Sequence, residues 1–85
     1  MKKQLIENMK IAINKVINGE QKSVSLDGIY PNDVKEYIEE LGGEDLQEFD
    51  SNGWQWDFWM YFLYNGQRYM LAGSGYFGDL TFNIK

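Results

Sequence analysis

The sequence predicts an α+β domain: two helices packed on one face of a three- to four-stranded antiparallel sheet, in the chain order α-β-α-β-β-β-β. Three observations carry this. Trp54 to Tyr64 is a period-two aromatic run that ends directly on Asn65-Gly66. Residues 5–17 hold an apolar stripe at helical spacing, and residues 34–41 hold a second, shorter one. The chain has 85 residues, without repeats or linker-like stretches, so 1–85 reads as one compact domain with a modest core.

The first helix comes from Leu5, Ile6, Met9, Ala12, Ile13, Val16 and Ile17, which fall on one face at 3.6 residues per turn. Lys3, Glu7, Lys10, Asn14 and Asn18 lie away from that face, and Gly19 suits the C′ position. Ile11 sits on the far side from the stripe, as a stray exposed apolar residue or a contact residue. Ser23 to Leu26 alternates as a short edge strand, stopped by Asp27-Gly28. Pro31 suits N1 of the second helix, with Asn32 and Asp33 in its first turn. Val34, Tyr37, Ile38 and Leu41 form its buried stripe, and Gly42-Gly43 ends it.

Glu44 to Asp50 is ambiguous, because Leu46 and Phe49 are spaced as on a helical turn. It is read as a strand, with Ser51-Asn52-Gly53 as the turn into the aromatic run. In that run Trp54, Trp56, Phe58, Met60, Phe62 and Tyr64 form the core face, since aromatic alternation marks a half-buried strand. The odd face starts polar at Gln55 and Asp57 and turns apolar at Trp59, Tyr61 and Leu63. Only a covering element or a partner would bury it. Asn65-Gly66 predicts a two-residue type I′ hairpin turn, which needs φ > 0 at both positions. That loop sets Phe62 opposite Tyr69, Met60 opposite Leu71, Leu63 opposite Arg68, Tyr61 opposite Met70 and Trp59 opposite Ala72. Leu80, Phe82 and Ile84 alternate with Thr81, Asn83 and Lys85 as a last strand.

Composition narrows the chemistry. With neither cysteine nor histidine, Ser-His-Asp and Cys-His catalysis, the usual zinc sites, disulfides and the common pH switch are all excluded. No catalytic residue is assigned, and the chain is expected not to be an enzyme and to carry no cofactor or metal. Asp50-Ser51-Asn52-Gly53 departs from a calcium loop, with Gly at the fourth position and Trp54 at the fifth. No apolar run approaches the roughly 18–20 residues of a membrane span, so no membrane association is expected, and a disulfide-free small fold suits the cytoplasm.

Gly73-Ser74-Gly75-Tyr76-Phe77-Gly78 matches G-x-G-x-x-G, but the residues after it alternate as a strand where a dinucleotide fingerprint requires a helix. It reads as a wide hairpin turn, with a ligand-cradling role for Gly73, Ser74, Gly75 and Gly78 as the alternative. Trp54, Trp56, Trp59 and Tyr61 would suit a stacking platform, yet Arg68 is the only basic residue nearby in sequence, so direct nucleic-acid binding is not expected.

Charge is segregated. Residues 1–22 carry five lysines and two glutamates, a net +3, whereas residues 33–57 carry nine carboxylates against Lys35, a net −8. Such a run is either a solvated face or a surface that meets a basic one. Glu36, Glu39, Glu40, Glu44, Asp45, Glu48 and Asp50 are its candidate contacts, and Trp59, Tyr61 and Arg68 are those of the odd strand face.

In its small size, acidity and lack of histidine and cysteine, the chain resembles the small inhibitor proteins of phages and mobile elements, anti-CRISPR proteins among them. The resemblance implies a non-catalytic inhibitor whose acidic surface occupies the basic, nucleic-acid-binding site of a host enzyme such as a nuclease. A toxin immunity protein, a small-ligand (nucleotide) binder using the glycine-rich turn and the aromatic face, and a homodimer formed through the apolar odd face are the alternatives.

Overall fold

The computed structural model describes residues 2–26, 28–52, 57–74 and 79–85. The element order is α1 (Lys2–Ile17), β1 (Ser23–Ser25), α2 (Pro31–Glu40), β2 (Glu44–Asn52), β3 (Asp57–Tyr64), β4 (Gln67–Ser74) and β5 (Asp79–Ile84). The five strands form one sheet in the order β1-β5-β4-β3-β2, with every neighbouring pair antiparallel. The predicted α+β class holds, with a sheet one strand wider than the upper expectation because both 23–25 and 44–52 join it.

The helices end as their glycines dictate. After α1, the Gly19 N–H donates to Val16 C=O and the Glu20 N–H to Lys15 C=O, with Gly19 at φ +81°. After α2, the Gly42 N–H donates to Glu39 C=O and the Gly43 N–H to Ile38 C=O, with Gly42 at φ +96°. Both are Schellman closures, which satisfy carbonyls that a helix end leaves without partners. Pro31 opens α2 at its first position, and the Asp33 carboxylate accepts from the Tyr30 N–H at 3.3 Å.

The β3–β4 hairpin has the expected register: Phe62 faces Tyr69, Tyr61 faces Met70 and Leu63 faces Arg68. Asn65 and Gly66 adopt φ +53° and +81°, the left-handed values that the type I′ turn demands.

The register puts Phe62, Tyr69, Leu71, Leu80 and Phe82 on one sheet face. Met9, Ile13 and Val16 of α1 and Val34, Tyr37 and Ile38 of α2 pack on that same face, with Leu26 and Ile29 between the elements. Full burial of such side chains stabilises by roughly 1.5–3 kcal/mol each, so this one layer dominates the fold. The helices are joined directly: the Tyr37 hydroxyl donates to Asn14 Oδ1 at 2.8 Å, and the Lys10 ammonium lies 5.6 Å from the Tyr37 ring centre. Tyr69 is buried and stacked on Phe82 at 5.4 Å, and burial, with Tyr64 adding to it, pushes its hydroxyl above the ordinary value of 10.0.

Three details differ from the sequence reading. Ser51 and Asn52 continue β2 as strand, because they pair with Phe58 and Asp57, and do not form the expected turn. Gly73 and Ser74 are strand residues of β4, paired with Leu80 and Asp79, and not part of a turn. Within β2, three residues, Leu46 to Glu48, stand between the partners of Phe62 and Met60, where β3 has Tyr61 alone. Gln47 takes φ +58°, and its N–H is held by the Asp45 carboxylate at 2.8 Å. This bulge explains why β2 read ambiguously: the backbone leaves the extended conformation at Gln47, and Leu46 and Phe49 on either side of it stand three residues apart, a helix-like spacing. The expectations for Gly53, Trp54, Gln55, Trp56, Gly75 and Gly78 lie outside the described residues.

Candidate protein-binding surface

Successive strand residues point to opposite faces, so the register that buries Phe62 places Trp59, Tyr61 and Leu63 of β3 on the other face. Arg68, Met70 and Ala72 of β4 and Thr81 and Asn83 of β5 share it. Both helices lie on the opposite side, and among the described residues no helix covers this face. Trp59, Tyr61, Leu63 and Met70 are each only half-buried. The alternative in which a helix covers the odd face is therefore removed.

Tyr61 is the centre of this surface. The Arg68 guanidinium lies 5.8 Å and the Lys85 ammonium 5.7 Å from its ring centre, both within cation–π range. Arg68 also pairs with Glu48 through a 2.9 Å contact from Nη2 to Oε2. Both side chains are exposed, so the pair adds little to stability, about 0–1 kcal/mol. Its effect is to hold the guanidinium beside the ring. The bulge makes this possible, since it brings Glu48 to the level of Tyr61.

The structure divides the predicted acidic residues in two. Glu44 pairs with Leu63, Asp50 pairs with Trp59 and Glu48 reaches Arg68, so these three carboxylates border the aromatic face. Asp45 pairs with Phe62 on the helix side, where it meets Lys35 at 3.8 Å. Glu36, Glu39 and Glu40 are exposed on α2, and the Asn32 amide donates to Glu36 at 3.3 Å. Because α2 lies over β2 while α1 lies over β1 and β5, the acidic and basic stretches of the sequence lie towards opposite edges of the sheet.

The glycine-rich stretch does not join the aromatic face as a cradle. A Cβ placed on Gly73 would meet Leu80 Cδ2 at 2.5 Å and Phe58 Cζ at 2.6 Å, so Gly73 faces the core side. Ser74 stands on β4 opposite Asp57. Lys85 is the member of the site that sequence reasoning missed. The signal was the polar alternation Thr81-Asn83-Lys85, which becomes informative only once β5 is set on β4 with Met70 opposite Asn83.

No described helix is long and apolar enough to cross a membrane. No family model, no curated protein and no solved structure matches this chain.

Proposed function

We propose that this chain is a non-catalytic, cytoplasmic, protein-binding inhibitor whose open sheet face and acidic flank occupy a basic, nucleic-acid-binding surface of another protein. The observation that carries this reading is continuity: Trp59, Tyr61, Leu63 and Met70 share one side of the sheet with Glu44 and Asp50, and Glu48 joins them through its pair with Arg68. Tyr, Trp, Met and Arg are enriched at interface centres, where desolvation slows dissociation. Carboxylates around such a centre attract a basic partner and speed encounter. The likeness in character to phage-borne inhibitors, anti-CRISPR proteins among them, supports the same reading. So does the absence of histidine and cysteine, which leaves few groups for catalysis.

The test compares immobilised baits in a bacterial lysate, with retained proteins identified by mass spectrometry. The parent chain is expected to retain a basic protein that elutes as salt rises, and Tyr61→Ala and Glu44→Gln/Glu48→Gln/Asp50→Asn baits are expected to lose it. Glu36→Gln/Glu39→Gln/Glu40→Gln, on the α2 flank, is expected to keep the melting temperature and to slow association at low salt. If all four baits retain the same proteins, indifferent to salt, this reading is wrong.

A second reading, a small anionic ligand such as a nucleotide, is favoured by one observation: Arg68 and Lys85 bracket Tyr61. It predicts a rise in melting temperature with a nucleotide panel that Tyr61→Ala abolishes.

A further inference from the structure

The sheet has two edges, and they are finished differently. The β2 edge carries Glu44, Asp45, Glu48 and Asp50 and is bulged at Leu46 to Glu48. Charge and bulges are the devices that stop another strand from adding to an edge. The β1 edge has neither: Ser23-Val24-Ser25 is uncharged and pairs regularly with β5.

The hydrogen bonds fix which β1 groups face outward. Lys22 C=O accepts from the Ile84 N–H at 3.1 Å, and the Leu26 N–H donates to Leu80 C=O at 2.8 Å. Antiparallel pairing alternates along the strand, so Ser23, one residue on from Lys22, turns its N–H and C=O away from β5 towards the open edge. Beside that edge lies an open groove of about 470 Å³ between α1 and β1. Its walls include Asn8, Ile11, Ala12 and Lys15 on the helix and Ser23 and Val24 on the strand. Ile11, off the core stripe of α1 and 56% exposed, thus stands on a groove wall and not on an isolated patch of surface.

We propose that this groove binds an extended, acidic segment of another protein by strand addition to β1. Ser23 exchanges main-chain hydrogen bonds with the added strand, Ile11 and Ala12 receive an apolar side chain, and Lys15 meets a neighbouring carboxylate. Charge selects the occupant. Lys15 is the charged residue on the groove wall, and it belongs to the segment 1–22 with net +3. A second copy paired through β1 would bring two such segments together, and like charges oppose that arrangement. The site lies at the β1 edge, across the sheet from β2 and its carboxylates, so it stands or falls independently of the inhibitor reading.

The experiment titrates the full chain with a short synthetic peptide of alternating Val and Glu, capped at both ends, and follows backbone amide shifts by NMR. Shifts are expected to gather at Ser23, Val24, Ile11 and Lys15. The counterpart with Lys in place of Glu is expected to bind about tenfold more weakly, and Lys15→Gln to weaken the Glu peptide about three- to fivefold. Because Ser23→Pro also alters the strand itself, the main-chain contact is tested on the ligand instead, by N-methylating peptide positions one at a time. One methylated position is expected to abolish binding with the protein unaltered. The proposal is overturned by silence at millimolar peptide, by equal binding of the Glu and Lys peptides, or by a methylation scan without effect. Shifts confined to Trp59 and Tyr61, or a mass that doubles with concentration through β1, overturn it equally.

Discussion

Phe62 and Tyr61 are neighbours in the chain and meet different solvents. Phe62 is fully buried beneath two helices, whereas Tyr61 is half-buried on the open face, with Arg68 and Lys85 beside its ring. Residues 58–64 are apolar at every position, so the strand alone makes both of its faces fit for burial. What separates them is cover. Both amphipathic helices sit on the even face, and that face becomes the core. The odd face keeps core-like side chains in contact with water, bordered by carboxylates from an edge strand. An apolar sheet face of this kind is the feature on which the proposed binding role rests, since exposing it has no benefit for folding.

The comparison predicts opposite outcomes for adjacent substitutions. Phe62→Ala should destabilise by about 3–5 kcal/mol, a large share of the roughly 5–15 kcal/mol that holds a domain together. Tyr61→Ala should cost no more than about 1 kcal/mol, the order of its exposed cation–π contacts. Urea unfolding of both variants measures the contrast, and similar losses would mean that the odd face is covered in solution.

Gly73 and Ala72 repeat the contrast on β4. Gly73→Ala would press a methyl group against Leu80 and Phe58, and such overpacking should cost about 1–3 kcal/mol. Ala72→Ser, on the open face, should change stability by less than about 0.5 kcal/mol. A harmless Gly73→Ala in the same unfolding assay would show that these two core side chains yield easily.

The smallest effect is one of pH. Burial raises the Tyr69 hydroxyl above its ordinary value of 10.0, so the folded chain keeps this proton to higher pH than the unfolded chain does. The resulting stability is fully present below pH 10 and is lost as pH climbs through the folded value. Unfolding free energy measured upward from neutral pH should therefore begin to fall above about pH 10, and less steeply in Tyr69→Phe. Identical alkaline slopes in parent and variant would place Tyr69 in contact with water.

Much of the fold was determined by sequence alone, because its signals are local. Helical spacing at 5–17 and 34–41, glycines at 19 and 42, Pro31 and Asn65-Gly66 each act through a few adjacent torsions or hydrogen bonds, and the hairpin register follows from its turn. The aromatic and acidic residues were also visible, as two separate candidate surfaces. Only the tertiary structure joined part of one to the other, because the bulge at Leu46 to Glu48 carries Glu48 across to Arg68, and where β2 interrupts its pairing is set by β3 and not by its own spacing. Tertiary pairing likewise brought Lys85 to Tyr61 and turned Gly73 towards Phe58 and Leu80, giving that glycine a packing reason in place of a turn. It also decided which sheet face stayed open. Strand alternation defines two faces, but which one is covered depends on where the helices land, and that is set by contacts between residues far apart in the chain.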